Sequence, residues 1–89
     1  MKILIINGAN LNLLGQRQPE IYGSESFEDI LGALRNRYSE HTLDYYQSNI
    51  EGEIVDRLQR ADGSYDGVVL NAGGYTHTSV VIRDAIASI

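Results

Sequence analysis

Three short strand-like segments, two of them apolar runs, each followed by a segment of helical period, constrain this chain more than any other feature. Ile3-Leu4-Ile5-Ile6 is a continuous apolar run that ends at Asn7-Gly8. It reads as a buried strand closing in a turn. Residues 42–47 read as a second strand, and Val68-Val69-Leu70 as a third. Between them, Phe27, Ile30, Leu31, Leu34 and Tyr38 recur at the spacing of one helix face. Ile50, Ile54, Val55 and Leu58 form a second such stripe, and Val81, Ile82, Ala85, Ile86 and Ile89 open a third. Ser26 with Asp29 has the spacing of a capping box, and Ser48 with Glu51 repeats it in the usual Ser-x-x-Glu form. Gly52 is a weak point in the second helix. Ala61-Asp62-Gly63-Ser64 is a turn signal. The order β-α-β-α-β-α predicts an α/β domain, a parallel sheet with helices on both faces.

Such sheets usually carry about five strands. Three strands, and a last helix that reaches Ile89 without a glycine or other stop signal, predict a C-terminally incomplete domain whose natural chain continues. Residues 1–89 are expected to form a single domain, without repeats or linkers.

Composition removes several functional classes. Seven Lys and Arg face twelve Asp and Glu, for a net charge of −5. That balance disfavours nucleic acid and anionic membrane, which want clustered cations, but it permits a small anionic substrate. There are no cysteines, so disulfides and thiolate metal sites are excluded. The two histidines, His41 and His77, lack ligand spacing, and no metal is expected. The four-residue apolar run after Met1-Lys2 is too short for a signal peptide or a membrane span, which makes the cytoplasm the default location.

The chemistry is expected beyond the carboxyl ends of the strands, where open parallel sheets bind ligands. Three polar segments follow the three strands: residues 7–23, Gln47-Ser48-Asn49 and residues 71–79. The first is long for a compact domain, and such loops are commonly functional or disordered. It has neither a phosphate-loop ending nor the dinucleotide glycine pattern. It does carry Arg17 and Tyr22. A tyrosine ordinarily ionises near pH ~10, and a neighbouring guanidinium favours its phenolate. A loop bearing both could close on a substrate and supply a base. Alternatively, Arg17 is solvated and Tyr22 packs at a helix entrance. The third segment, Asn71-Ala72-Gly73-Gly74-Tyr75-Thr76-His77-Thr78-Ser79, pairs glycines with three aliphatic hydroxyls and an imidazole ahead of a helix. It suits close approach to an anion, and it equally suits a turn that merely caps the helix.

Taken together, these segments resemble one family. Asn7-Gly8-Ala9-Asn10-Leu11-Asn12-Leu13-Leu14-Gly15, Arg17-Gln18-Pro19-Glu20-Ile21-Tyr22-Gly23, Gln47-Ser48-Asn49, Glu51-Gly52-Glu53 and residues 71–79 are similar, in order, to type II 3-dehydroquinate dehydratases. The resemblance implies a flavodoxin-like fold. It also implies a shikimate-pathway lyase that dehydrates 3-dehydroquinate to 3-dehydroshikimate through an enolate, with no cofactor, metal or Schiff base. By that resemblance Tyr22 matches the proton-abstracting base, Arg17 its activator and Asn10 a catalytic polar group. Asn71, His77 and Asp84 match substrate-binding positions, Asp84 reaching a neighbouring subunit's site in trimers grouped as dodecamers. Ala9 and Ile50 stand where many members have proline and histidine. The family's general acid, a histidine in a Glu-x-His-x-Ser-Asn segment, and a following substrate-binding arginine are expected past Ile89. The alternative functions are a non-catalytic half-domain that binds small anions and an interaction fragment that pairs through its sheet edge.

Overall fold

The first strand is almost wholly buried because it has neighbours on both sides. In the structure, a computed structural model, β1 (Lys2–Asn7) lies between β2 (Thr42–Gln47) and β3 (Gly67–Asn71) in the order β2-β1-β3, all parallel. The description covers residues 1–89 apart from the side chain of Tyr22. The helices are α1 (Pro19–Tyr22), α2 (Phe27–Arg37), α3 (Glu51–Ala61) and α4 (Val80–Ser88). Order 2-1-3 is the opening of the flavodoxin-like winding.

Successive strand residues face opposite sides of the sheet. Leu4 and Ile6, both 0% exposed, point to one side, where Ile54, Leu58 and Ala61 of α3 and Ile82 and Ala85 of α4 complete the core. Ile5 belongs to the other side, in register with Tyr45 of β2, and Phe27 of α2 stacks on Tyr45 with ring centroids 4.8 Å apart. On that side Leu31 is the buried residue of α2. Arg35 of α2 donates twice, at 2.7 and 3.0 Å, to the Leu43 carbonyl on the marginal strand β2.

Local signals succeed at α2. Ser26 Oγ accepts from the Asp29 amide, and the Asp29 carboxylate accepts from the Ser26 amide, both at 3.2 Å. The second box does not form. Helix α3 begins after Ile50, which is 59% exposed and so leaves the predicted stripe. Buried Ser48 instead accepts from the Ile50 amide and donates to Glu53 Oε1 at 2.6 Å. The serine engages a side chain two residues beyond the one that its spacing suggested.

The stripe expected for the last helix is also only half buried. Ile82 and Ala85 are inside, whereas Val81, Ile86 and Ile89 are 46–49% exposed because nothing among the described residues covers their side of α4. The long first loop is more ordered than its lack of period suggested, holding a single 3-10 turn (Leu11–Leu13) and the short α1. Among the described residues no helix is long and apolar enough to cross a membrane.

Candidate active site

Parallel strands send their carboxyl ends to one margin of the sheet, and there the three polar segments meet. The Gly8 amide donates to the Asn71 carbonyl at 2.7 Å, and the Ser48 amide to the Asn7 carbonyl at 3.1 Å, so each loop leaves its strand already tied to a neighbour. Two glycines then let the first and third segments touch. A Cβ on Gly8 would lie 2.4 Å from the Ala72 carbonyl oxygen. Gly73 sits at φ +63°, and a Cβ there would lie 2.6 Å from the Ala9 carbonyl oxygen. The close approach that Gly73 permits is therefore taken by the chain's own backbone, whereas Gly74 has open space around it.

Beside this contact lies an open cavity of about 380 Å³ lined by Ala9, Asn10, Leu11, Leu13, Leu14, Arg17, Gly73 and Gly74. Two of the predicted catalytic residues, Asn10 and Arg17, share it. Asn10 is left-handed, at φ 68° and ψ −3°, and leads into the 3-10 turn, with its carbonyl accepting from the Leu13 amide at 3.1 Å. The Arg17 amide donates to the Leu13 carbonyl at 3.0 Å, which fixes the backbone from which the guanidinium extends. The expected base, Tyr22, lies outside the described residues in respect of its side chain.

The three predicted substrate-binding residues are spread more widely. Asn71 ends β3, and its Oδ1 accepts from the Gly73 amide at 3.1 Å, shaping the start of the third loop. His77 lines a neighbouring cavity of about 370 Å³ with Tyr75, Ser79 and Arg83. Asp84 lines an adjoining depression with Val80, Val81, Arg83 and Ala87 on the outer side of α4, sharing Val80 and Arg83 with the His77 cavity. The 89 residues thus place Asn10 with Arg17 in one cavity, but not with His77 or Asp84. His41 stands at the opposite end of the sheet, its Nδ1 2.9 Å from the N-terminal nitrogen and its Nε2 3.3 Å from Glu40. No group of three potential metal ligands occurs among the described residues.

Sequence reasoning assigned no role to Asn49 or Tyr75. In the structure Asn49 Oδ1 accepts from the Asn10 amide at 2.9 Å and from Gln47 Nε2 at 3.1 Å, and its main-chain carbonyl accepts from the Tyr75 hydroxyl at 2.8 Å. Their signal was their place in the segments that follow the second and third strands and that carry the family resemblance.

The sheet order and the loops gathered at its carboxyl margin define a flavodoxin-like α/β domain with a cavity at the strand ends, where such sheets bind ligands. A family model described as dehydroquinase class II matches residues 1–89, and the chain belongs to that family. It is 53% identical over its whole length to a protein named 3-dehydroquinate dehydratase from a Synechococcus strain, covering 62% of that protein. It is 52% identical to one of the same name from Campylobacter jejuni, again over its whole length and covering 57% of it. The crystal structure of type II dehydroquinase from Butyrivibrio crossotus superposes with a TM-score of 0.90 at 47% identity, over 99% of this chain and 63% of that one. The type II dehydroquinase from Propionibacterium acnes superposes with a TM-score of 0.85 at 30% identity, over 96% of this chain and 60% of that one. The chain therefore spans about three-fifths of the length of the relatives it matches.

Proposed function

We propose that the protein is a 3-dehydroquinate dehydratase of the type II class, a lyase of the shikimate pathway that serves aromatic amino-acid biosynthesis. The observation that carries this reading is the pairing of Asn10 and Arg17 in one cavity at the sheet's carboxyl margin. Relatives about half identical to this chain bear the dehydratase name.

Eliminating water from a β-hydroxy ketone requires a base at the carbon next to the carbonyl and an acid at the departing hydroxyl. In this reading Tyr22, as phenolate, removes the proton, and Arg17 favours that ionised form. Asn10 offers an amide beside the developing enolate, where a preorganised donor has most effect. Asn71 and His77 hold the anionic substrate. Asp84, on the outer side of α4 and in a depression apart from the Asn10 cavity, serves the site of a neighbouring subunit in a trimer-based homododecamer. The acid is a histidine of a Glu-x-His-x-Ser-Asn segment, which does not occur in these 89 residues. The reaction needs no cofactor, metal or Schiff base. The protein works in the cytoplasm, and residues 1–89 are the N-terminal part of its single catalytic domain.

The test is turnover of 3-dehydroquinate by the full-length protein, followed through the enone absorbance of the product, with chelator present and after borohydride treatment in the presence of substrate. Activity should survive both treatments. Arg17→Ala and Tyr22→Phe should each lower kcat by roughly 10²–10⁴-fold with a much smaller change in KM. The double variant should lose less than the product of the two single losses, because Arg17 acts through Tyr22. Absence of turnover, or its abolition by chelator, would refute the assignment.

A further inference from the structure

We propose that Asn49 is a positioning residue for this dehydration, acting through Asn10; the inference rests on the dehydratase reading above. Asn49 bonds to all three carboxyl-end segments. Its Oδ1 accepts from the Asn10 amide of the first segment at 2.9 Å and from Gln47 Nε2 of its own segment at 3.1 Å. Gln47 Nε2 also donates to the Gly8 carbonyl at 3.2 Å. The Asn49 carbonyl accepts from the Tyr75 hydroxyl of the third segment at 2.8 Å. Both partners of the Asn49 side chain are N–H donors, so only its oxygen can face them.

Asn10 is one of two non-glycine residues with positive φ among the described residues, a conformation that asparagine tolerates better than most residues but that its surroundings must hold in place. Its amide is anchored by Asn49 and its carbonyl by Leu13, which leaves the side chain to line the cavity shared with Arg17. Without the Asn49 acceptor, Asn10 can relax towards ordinary backbone and carry its amide group away from the reacting carbon. Misplacing a positioned group is felt in the chemical step more than in ground-state binding.

In the full-length protein, Asn49→Ala should lower kcat by about tenfold while KM changes less than about threefold. Asn49→Gln keeps the amide but displaces its oxygen by one methylene, and should lose as much. Asn49→Asp retains an oxygen in place for both donors and should restore kcat to within about threefold of wild type. Hydrogen exchange at the Asn10 amide, read without substrate, should speed up in Asn49→Ala and Asn49→Gln but not in Asn49→Asp. A simple structural role would move unfolding midpoints and not this kcat pattern. Wild-type kcat in both Asn49→Ala and Asn49→Gln, or a loss in Asn49→Asp equal to theirs, would overturn the proposal. Were Asn49→Ala unfolded, the Asn49→Gln and Asn49→Asp pair alone would decide it. A wild-type protein with no turnover but with this exchange pattern would sink the dehydratase reading and leave the anchoring of Asn10 standing. An Asn10 amide exchanging as fast as an unprotected one would overturn the anchoring itself.

Discussion

Tyr45 shows how one side chain links the core to the solvent conditions the fold tolerates. Its ring is stacked on Phe27, and its hydroxyl accepts from Asn7 Nδ2 at 3.4 Å. Burial pushes its ionisation upward, the Asn7 hydrogen bond pulls it partly back, and the negative charge of Glu28 pushes it up again. The native state therefore prefers the neutral phenol. In the unfolded chain the phenol ionises near its ordinary value of 10.0. Between that value and the higher native one, the unfolded state holds fewer protons, so stability falls as pH rises. The contribution is complete below the unfolded value and is lost as pH climbs through the native one. Tyr45→Phe should cost less than about 1 kcal/mol near neutrality, since the hydrogen bond it removes is long. It should also make the alkaline decline shallower. Urea unfolding of both full-length proteins at pH values on either side of about 10 would check this, and identical declines would show that Tyr45 does not couple to stability.

At the scale of elements, the two serine caps separate what could be read in the sequence from what could not. Ser26 and Asp29 satisfy each other within one turn, so the spacing alone identified the start of α2. Ser48 had equally good spacing to Glu51, yet its hydroxyl donates to Glu53 and Ile50 takes the capping position. The first and third strands were legible as short continuous apolar runs, and the boundaries of β2, which mixes polar and aromatic residues, fell at the expected residues. The 3-10 turn of Leu11–Leu13 was not legible, since three residues carry no period. The loops carrying Arg17 and His77 could be located because they follow strands. The Asn49 junction could not, because its bond to Asn10 spans 39 residues and its bond to Tyr75 spans 26. The serines also differ in expected energetic weight. Ser26→Ala should cost about 1 kcal/mol, the usual loss of an exposed cap. Ser48→Ala should cost more, roughly 1.5–3 kcal/mol, because it removes a buried hydroxyl bound to a carboxylate. Denaturant midpoints of the two full-length variants give the order directly, and a larger loss at Ser26 would contradict it.

The whole molecule is a slab of 38 × 34 × 15 Å with a radius of gyration of 13.7 Å, where a compact domain of this length would have about 12 Å. Its two margins are strands: β2 carries one and β3 the other, each with a partner on one side only among the described residues. The β2 margin is moderated by Arg35, which occupies the Leu43 carbonyl. The β3 margin is the more adhesive. Val69, in register with buried Ile5, is 58% exposed, and Val80, Val81, Ile86 and Ile89 of the adjoining α4 segment are 46–65% exposed. Beside β3 a cavity of about 420 Å³ is lined by Leu58, Tyr65, Val68, Leu70, Ile86 and Ile89, among others. An apolar strand edge next to an apolar helix flank invites another chain to add to it. The chemistry points the same way, since His41 lies at the wrong end of the sheet and His77 is read as a binding residue, so neither histidine of residues 1–89 is placed as the acid for the departing hydroxyl. Expressed alone, residues 1–89 should therefore have no dehydratase activity and should self-associate with rising concentration. Light scattering and the enone assay, run beside the full-length protein, test both points. Val69→Lys should weaken the association by placing a charge at the centre of the open margin. A monodisperse 89-residue monomer that turns over 3-dehydroquinate would contradict both the edge argument and the missing-acid argument at once.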